Sequence, residues 1–512
     1  MAFGAIERVR RSRWAMLFAI VLVILIVGHL LIGTDPFVLA TSLAVMGVSL
    51  LPMWRFGALN LASMLVVITA FRYVGGPLLA KLLLGQPLQS NLHQPLPSFI
   101  VVLVGIAGYA MAAFIANSIT IRRSWLPRIE SVAHLRRFAA VGAVLGFAAV
   151  AIAGRSLGDS AAADSSGGAL ISFFGGFINL ALVAATAAAM RRSGGRRGWD
   201  AWVVVIGGTF AMLSMAFNSR SALMGAFIAY VVSIFGYRGY LRFSQTAIIV
   251  GAVLLMILVV TPLTLYVRGQ VYGASLSQRA AIVVDAIKNW DKVTAAYDAF
   301  NSGHDTPQLY LNYYGGPQNT LERMSHINHT DVIKDAADKG QMLGWQDLKE
   351  SLDRTLPTAI ASDKHSDYSS GDLFYCKLHV ACGYGNRASL PLIAAGYGAF
   401  GWSGAFFYPL LLATPFFLLL NKLGGPSIRE NMWALYFFVD AQWGFAEGGS
   451  DYYMLALLRY IPEYMIVFGI LTIITGTGRV KLFRARSSHR LISRPPVGQE
   501  LAAKFQGSSE PS

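Results

Sequence analysis

The sequence predicts an all-α polytopic integral membrane protein, with about twelve transmembrane helices and one large, mainly helical insert placed late in the chain. Three observations lead to that fold class. Hydrophobic residues make up 55% and charged residues only 13% of 512 positions, with a mean hydropathy of +0.51. Soluble domains carry about 25% charged residues, so this composition excludes a soluble fold. Apolar runs recur along the chain near the ~20 residues that cross a ~30 Å hydrocarbon core. Finally, Lys and Arg gather in alternate connections, as the positive-inside rule requires.

In chain order the spans are read at 14–33, 37–54, 56–74, 98–118, 138–154, 169–190, 200–217, 221–237, 245–266, 391–420, 432–447 and 455–476. The first follows a basic start and has no small-residue cleavage site after it, so it reads as a retained span. The third stops before Gly75-Gly76-Pro77. The tenth is long and Gly-rich, which suits a broken or re-entrant helix. The eleventh is short and carries Asp440 and Glu447. One parity collects 25 of the 42 basic residues on one side, including Arg8 to Arg13, Arg122 to Arg137, Arg191 to Arg197, Arg238, Arg242 and the C-terminal tail. That side is expected to be cytoplasmic, with both termini there. The organisation is then a nine-span bundle over 1–266, an external insert over 267–390, three further spans over 391–476 and a disordered basic tail over 477–512. The pI of about 9.8 is a signal of topology and of anionic lipid, not of nucleic acid, because the basic residues are scattered between spans.

The insert has a different composition. It holds 14 of the 27 acidic residues, both cysteines and five of the nine histidines, against 12 Lys and Arg. Its first helix is expected over 282–301, lying on the membrane or the bundle, and a polar helix from about Thr320. On that second helix Glu322, His326 and His329 share a face. His326 and His329 stand three apart without the intervening Glu of a zinc protease, so the readings are a general base beside a carboxylate or solvated side chains, and no metal is expected. Cys376 and Cys382 lie on the external side, where a disulfide is permitted.

At membrane depth a charge costs about 2.5–3.5 kcal/mol on insertion scales, so each one needs a reason. Arg220, in Ser219-Arg220-Ser221-Ala222-Leu223-Met224-Gly225, and Arg268, at the end of the ninth span, fall at the outer headgroup level. They read either as snorkelling anchors or as a phosphate clamp. Asp440 and Glu447 are seven apart on one helix face, and Arg459 and Glu463, four apart, are expected to pair.

Several runs are familiar together. Leu356-Pro357, Ser362-Asp363-Lys364 and Gly371-Asp372 precede Ala394-Ala395-Gly396-Tyr397-Gly398-Ala399-Phe400-Gly401-Trp402-Ser403-Gly404. With the Arg220 run and the late insert, this stretch resembles the Wzy-type O-antigen and exopolysaccharide polymerases and the related O-antigen ligases. Two features depart from the family pattern: Thr358 stands where Arg often follows Leu-Pro, and Gly396-Tyr397 replaces an acid-bearing motif, so those roles do not carry over.

The resemblance implies a bacterial inner-membrane glycosyltransferase, free of cofactors, with a periplasmic insert. Its substrate would be a glycan on undecaprenyl pyrophosphate, and a flippase and a chain-length regulator would be its pathway partners. Within that reading the base is Glu447, His326 or Glu322, in that order. Arg220, Arg268, Arg323, Arg354 and Arg387 would hold diphosphate or glycan. Fixed positive charge where a leaving anion develops is often the largest catalytic contribution. The alternatives are a ligase, another polyprenyl-dependent glycosyltransferase, and a transporter or flippase. Sparse intramembrane charge and the absence of an evident repeat weigh against the transporter.

Overall fold

A computed structural model describes residues 20–119, 123–156, 175–216, 220–268, 270, 276–302, 313–314, 325–356, 370–379 and 390–476. Among these the protein is all-α, with a lone antiparallel bridge between Asn60 and Ser427 and no strand. It is a membrane protein: six helices are long and apolar enough to cross a bilayer. The membrane-domain helices are α1 (Ile20–Leu31), α2 (Pro36–Phe56), α3 (Leu61–Leu83), α4 (Pro95–Ser118), α5 (Val132–Ser156), α6 (Phe177–Arg192), α7 (Ala201–Ala216), α8 (Arg220–Arg238) and α9 (243–268). The insert contributes α10 (Leu276–Lys288), α11 (Trp290–Ser302), α12 (Ile327–Asp338), α13 (Gln346–Thr355) and α14 (Ser370–Lys377). The chain then returns through α15 (Leu392–Gly424), α16 (Met432–Glu447) and α17 (Ser450–Ile474).

Helix α3 is central: 78% of its apolar window is buried, against 33% for α2 and α17. The outer helices turn Val204, Val205, Leu254, Leu258, Ile466 and Ile473 outward, as lipid-facing surfaces do.

Proline shapes three of the long helices. α3, α9 and α17 each contain one π-helical turn, at Phe71–Gly75, Met256–Val260 and Ala456–Tyr460. Each turn ends two residues before a proline: Pro77, Pro262 and Pro462. A helical proline has no N–H, and its ring strikes the carbonyl four residues back. Widening the preceding turn relieves that clash, and the Gly76 amide donates to the Phe71 carbonyl five residues away. α3 therefore runs on to Leu83, past the end at 74 expected for the third span.

Helix α15 is broken, as its glycine content suggested. Phe400 (φ −137°, ψ 20°) and Gly401 (φ 62°, ψ −139°) leave helical geometry, and Gly401 takes a positive φ that other residues adopt with strain. The two halves then press together so closely that a Cβ on Gly404 would lie 1.9 Å from the Gly396 carbonyl oxygen.

The insert is docked by buried polar groups. Asp331 on α12 accepts from the His93 and Gln94 amides (2.6 and 2.8 Å) and from Ser98 Oγ (2.7 Å), satisfying donors at the start of α4. The Leu343 and Gly344 amides donate to the Gly398 and Ala399 carbonyls at the α15 break. Buried Lys81, near the end of α3, donates to Ser90 Oγ (2.7 Å) and to the Tyr313 carbonyl (2.6 Å). At the opposite end of the bundle Asn60, Asn117 and Asn421 bond one another, and the Leu61 and Ile428 amides tie the two connections they start from.

The expected helix over 282–301 divides in two at Asn289, and the polar helix expected from Thr320 begins at Ile327.

Candidate functional site

The middle of α3 carries a buried arginine that the sequence reading passed over. The π turn holds Arg72 with its side chain 5% exposed, and its Nη2 lies 2.8 Å from Glu447 Oε1. The guanidinium carbon also stands 3.9 Å from the centroid of the Trp443 ring. That is close cation–π range, and the planar guanidinium suits stacking. Trp443 and Glu447 are four apart on α16, so one helix face supplies both contacts. The end of α16 is closed tightly: a Cβ on Gly444 would lie 2.1 Å from the Tyr452 ring.

His326 packs against the same turn of α3. Its amide donates to the Arg72 carbonyl (3.2 Å), and its ring meets the Tyr73 ring edge-on at 5.4 Å. It is 2% exposed, yet neither ring nitrogen has a hydrogen-bond partner among the described residues, and the same holds for Ser325 Oγ. Buried polar atoms left unpaired are few in native proteins and call for a water, an ion or a ligand. Burial pushes the His326 imidazole well below the ordinary histidine range, and the Arg72 charge and His329 add to the effect. His326 is thus neutral at physiological pH, with a lone pair available in a water-poor setting. His329, its ring 6.1 Å from that of His326, is pushed down to about 4 by burial, and its Nδ1 bonds the Tyr375 hydroxyl on α14.

A second acidic position lies beside this cluster. Asp347, at the start of α13, accepts from Ser450 Oγ (2.7 Å), and Ser450 in turn bonds Ser351 Oγ (2.7 Å). Burial raises the Asp347 carboxyl to about 6. Its seryl partners fix α13 onto the start of α17, three residues beyond Glu447.

The sequence candidates distribute as follows. Glu447 and His326 meet at Arg72. Arg354 is half-buried in the last turn of α13. Arg220 is the first residue of α8 and Arg268 the last of α9. Glu322, Arg323, Arg387 and Cys382 lie outside the described residues, while Cys376 is disulfide-bonded. Asp440 accepts from the Tyr464 hydroxyl within the α16–α17 packing, and Arg459 pairs with Glu463 at 3.0 Å. The signal for Arg72 was present in the chain: a lone arginine inside an apolar span, five residues before a proline. Its partner was not legible, because Glu447 lies far away in sequence.

The cluster offers a buried cation, a carboxylate balanced against it and a neutral imidazole with an open nitrogen. It is equipped to hold an anion and to take a proton from a hydroxyl beside it. No family model, curated protein or solved structure matches this chain.

Proposed function

We propose that the protein is a lipid-linked glycan polymerase of the bacterial inner membrane, working at the insert-facing end of a bundle of about twelve spans. In this reading the insert is periplasmic and both termini are cytoplasmic. The donor is a growing glycan on undecaprenyl pyrophosphate, and the acceptor is the next lipid-linked repeat unit. An acceptor hydroxyl attacks the anomeric carbon, a glycosidic bond forms, and the bond to the diphosphate breaks. The hydroxyl proton passes to His326, and the diphosphate leaves as an anion toward Arg72.

The observation that carries the reading is the Arg72–Glu447 pair beside a neutral His326 whose ring nitrogens have no hydrogen-bond partner among the described residues. A glycosyl transfer from a lipid diphosphate needs a positive group for the leaving anion and a base for the incoming hydroxyl, and this end of the bundle brings both together. Glu447, the first choice as base from sequence, is engaged by Arg72 and serves better as the counter-charge that holds the guanidinium in place. His326 is better suited to accept the proton. Arg220 and Arg268, at helix ends on the same side, remain proposed contacts for the diphosphate, and Arg354 a proposed contact for the glycan.

The test uses purified protein with a lipid-linked repeat unit, followed by a gel of the products. Wild-type protein should give a ladder, and His326→Ala should give none while retaining its detergent-solubilised melting profile. A full ladder from His326→Ala would remove the proposed base. Transfer of finished polymer to a lipid A core, with no ladder from single units, would assign the ligase reaction instead.

A further inference from the structure

We infer a second anion site, for a phosphate ester, at the opposite, basic end of the bundle. It is independent of the glycan reading. A cavity of about 420 Å³ opens there between Arg128 and the connection from Gly425 to Asn431.

Its floor is fixed. Gly425 has φ 93° and bares its backbone, the Leu61 amide donates to the Pro426 carbonyl (2.8 Å), and the Ile428 amide donates to the Leu59 carbonyl (2.9 Å). The Asn431 side chain caps the first turn of α16 and also bonds the Gly424 carbonyl.

Arg128 and Arg429 line the cavity, and Arg191, whose Nη1 donates to the Glu130 carbonyl (2.8 Å), stands near Glu430. Arg128 Nη2 and Arg191 Nη2 face the same carboxylate oxygen of Glu430, at 3.8 and 4.0 Å, and Arg128 Nε stands 3.9 Å from Glu130. Charge-assisted N–H···O bonds close to about 2.7–2.9 Å, so these three contacts fall short by roughly an ångström. Two guanidiniums thus converge on one oxygen that neither grips. Glu430 is itself held at φ 48°, an uncommon backbone state for a non-glycine residue and one found at ligand clamps. The lining holds two arginines, Arg128 and Arg429, against one glutamate, leaving net positive charge for an incoming anion.

The surroundings place this cavity at headgroup depth. Trp54, Trp125, Trp199 and Trp202 are exposed at this end, 38% in the least case and 89% in the greatest. Tryptophans so placed mark the bilayer interface. The ligand chemistry is therefore a phosphate ester, from an anionic phospholipid headgroup or from a soluble phosphate.

The test is native mass spectrometry of the full chain with phosphatidylglycerol, alongside calorimetric titration with glycerol 3-phosphate. The site predicts a loss of about tenfold or more in phosphatidylglycerol retention for Arg128→Gln with Arg191→Gln. It also predicts tighter retention for Glu430→Gln, which removes the competing carboxylate, and no change for Arg55→Gln, an exposed arginine at the same end. If glycerol 3-phosphate shows the same pattern, the site stands with a soluble source; if only the lipid does, the source is the headgroup. An equal effect from Arg55→Gln and Arg128→Gln would reduce the result to general charge attraction and overturn the site. So would retention of both probes by the double variant.

Discussion

Two arginines sit in π turns made by downstream prolines, and they meet opposite fates. Arg72 lies five residues before Pro77, is 5% exposed, and pairs with a glutamate from a helix near the far end of the chain. Arg459 lies three residues before Pro462, is 37% exposed, and pairs with Glu463 one turn along its own helix. The backbone device is shared, while burial and the origin of the partner differ. A proline-driven π turn re-aims a side chain but does not by itself make a site. The site forms where the re-aimed charge is shut away from solvent and stacked on Trp443, with His326 bonded to the same turn.

Substitutions can break this contrast, and the largest effect is expected from Arg72→Ala. It leaves Glu447 without its buried partner, so stability should fall by about 3 kcal/mol or more, and polymer should be absent. Thermal unfolding in detergent and a product gel check the two effects separately. Arg459→Ala should cost no more than about 0.5 kcal/mol, as exposed i,i+4 pairs do, and should leave polymer length unchanged. A double-mutant cycle sharpens the point: the coupling between Arg72 and Glu447 should exceed that between Arg459 and Glu463 severalfold.

Proline replacement is the next largest effect. Pro77→Ala allows a regular turn and rotates Arg72 away from Trp443, so activity should drop with little change in expression. Pro462→Ala should leave activity intact. Equal loss from both would mean that the π turns matter for packing alone.

A smaller effect is the pH dependence of stability around the insert. His326 and His329 bind protons less readily when folded, so they contribute stability above the unfolded histidine value near 6.5. That contribution is lost as pH falls through about 4 for His329. Asp347 has the opposite sign. Its raised value of about 6 gives stability that is full below the unfolded carboxyl range and lost as pH rises through 6. Melting temperatures measured from pH 4 to 7 should therefore show a shallower acid limb in His329→Gln and a steeper rise toward neutral pH in Asp347→Asn.

The fold class was legible because the bilayer imposes it: apolar length and basic connections are one-dimensional signals. The break in α15 was legible from glycine content, and the Arg459–Glu463 pair from spacing alone. The extent of α3 was not, because a Gly-Gly-Pro run normally ends a helix and here only widens one turn. The docking of the insert was not legible either: Asp331, Lys334 and Asp347 are 1%, 4% and 7% exposed and dock the insert on the bundle. Two of the three members of the candidate cluster, Glu447 and His326, could be named from sequence. Their meeting point, Arg72, belongs to a third region, and tertiary packing alone joins the three.

In the proposed reaction Arg72, and not its counterpart at 459, receives the diphosphate. The most direct test is the affinity of the purified protein for undecaprenyl pyrophosphate. Binding should weaken by about tenfold or more in Arg72→Ala, the scale of a lost charged hydrogen bond, and stay at the wild-type value in Arg459→Ala. Equal affinity in wild type and Arg72→Ala would contradict the account.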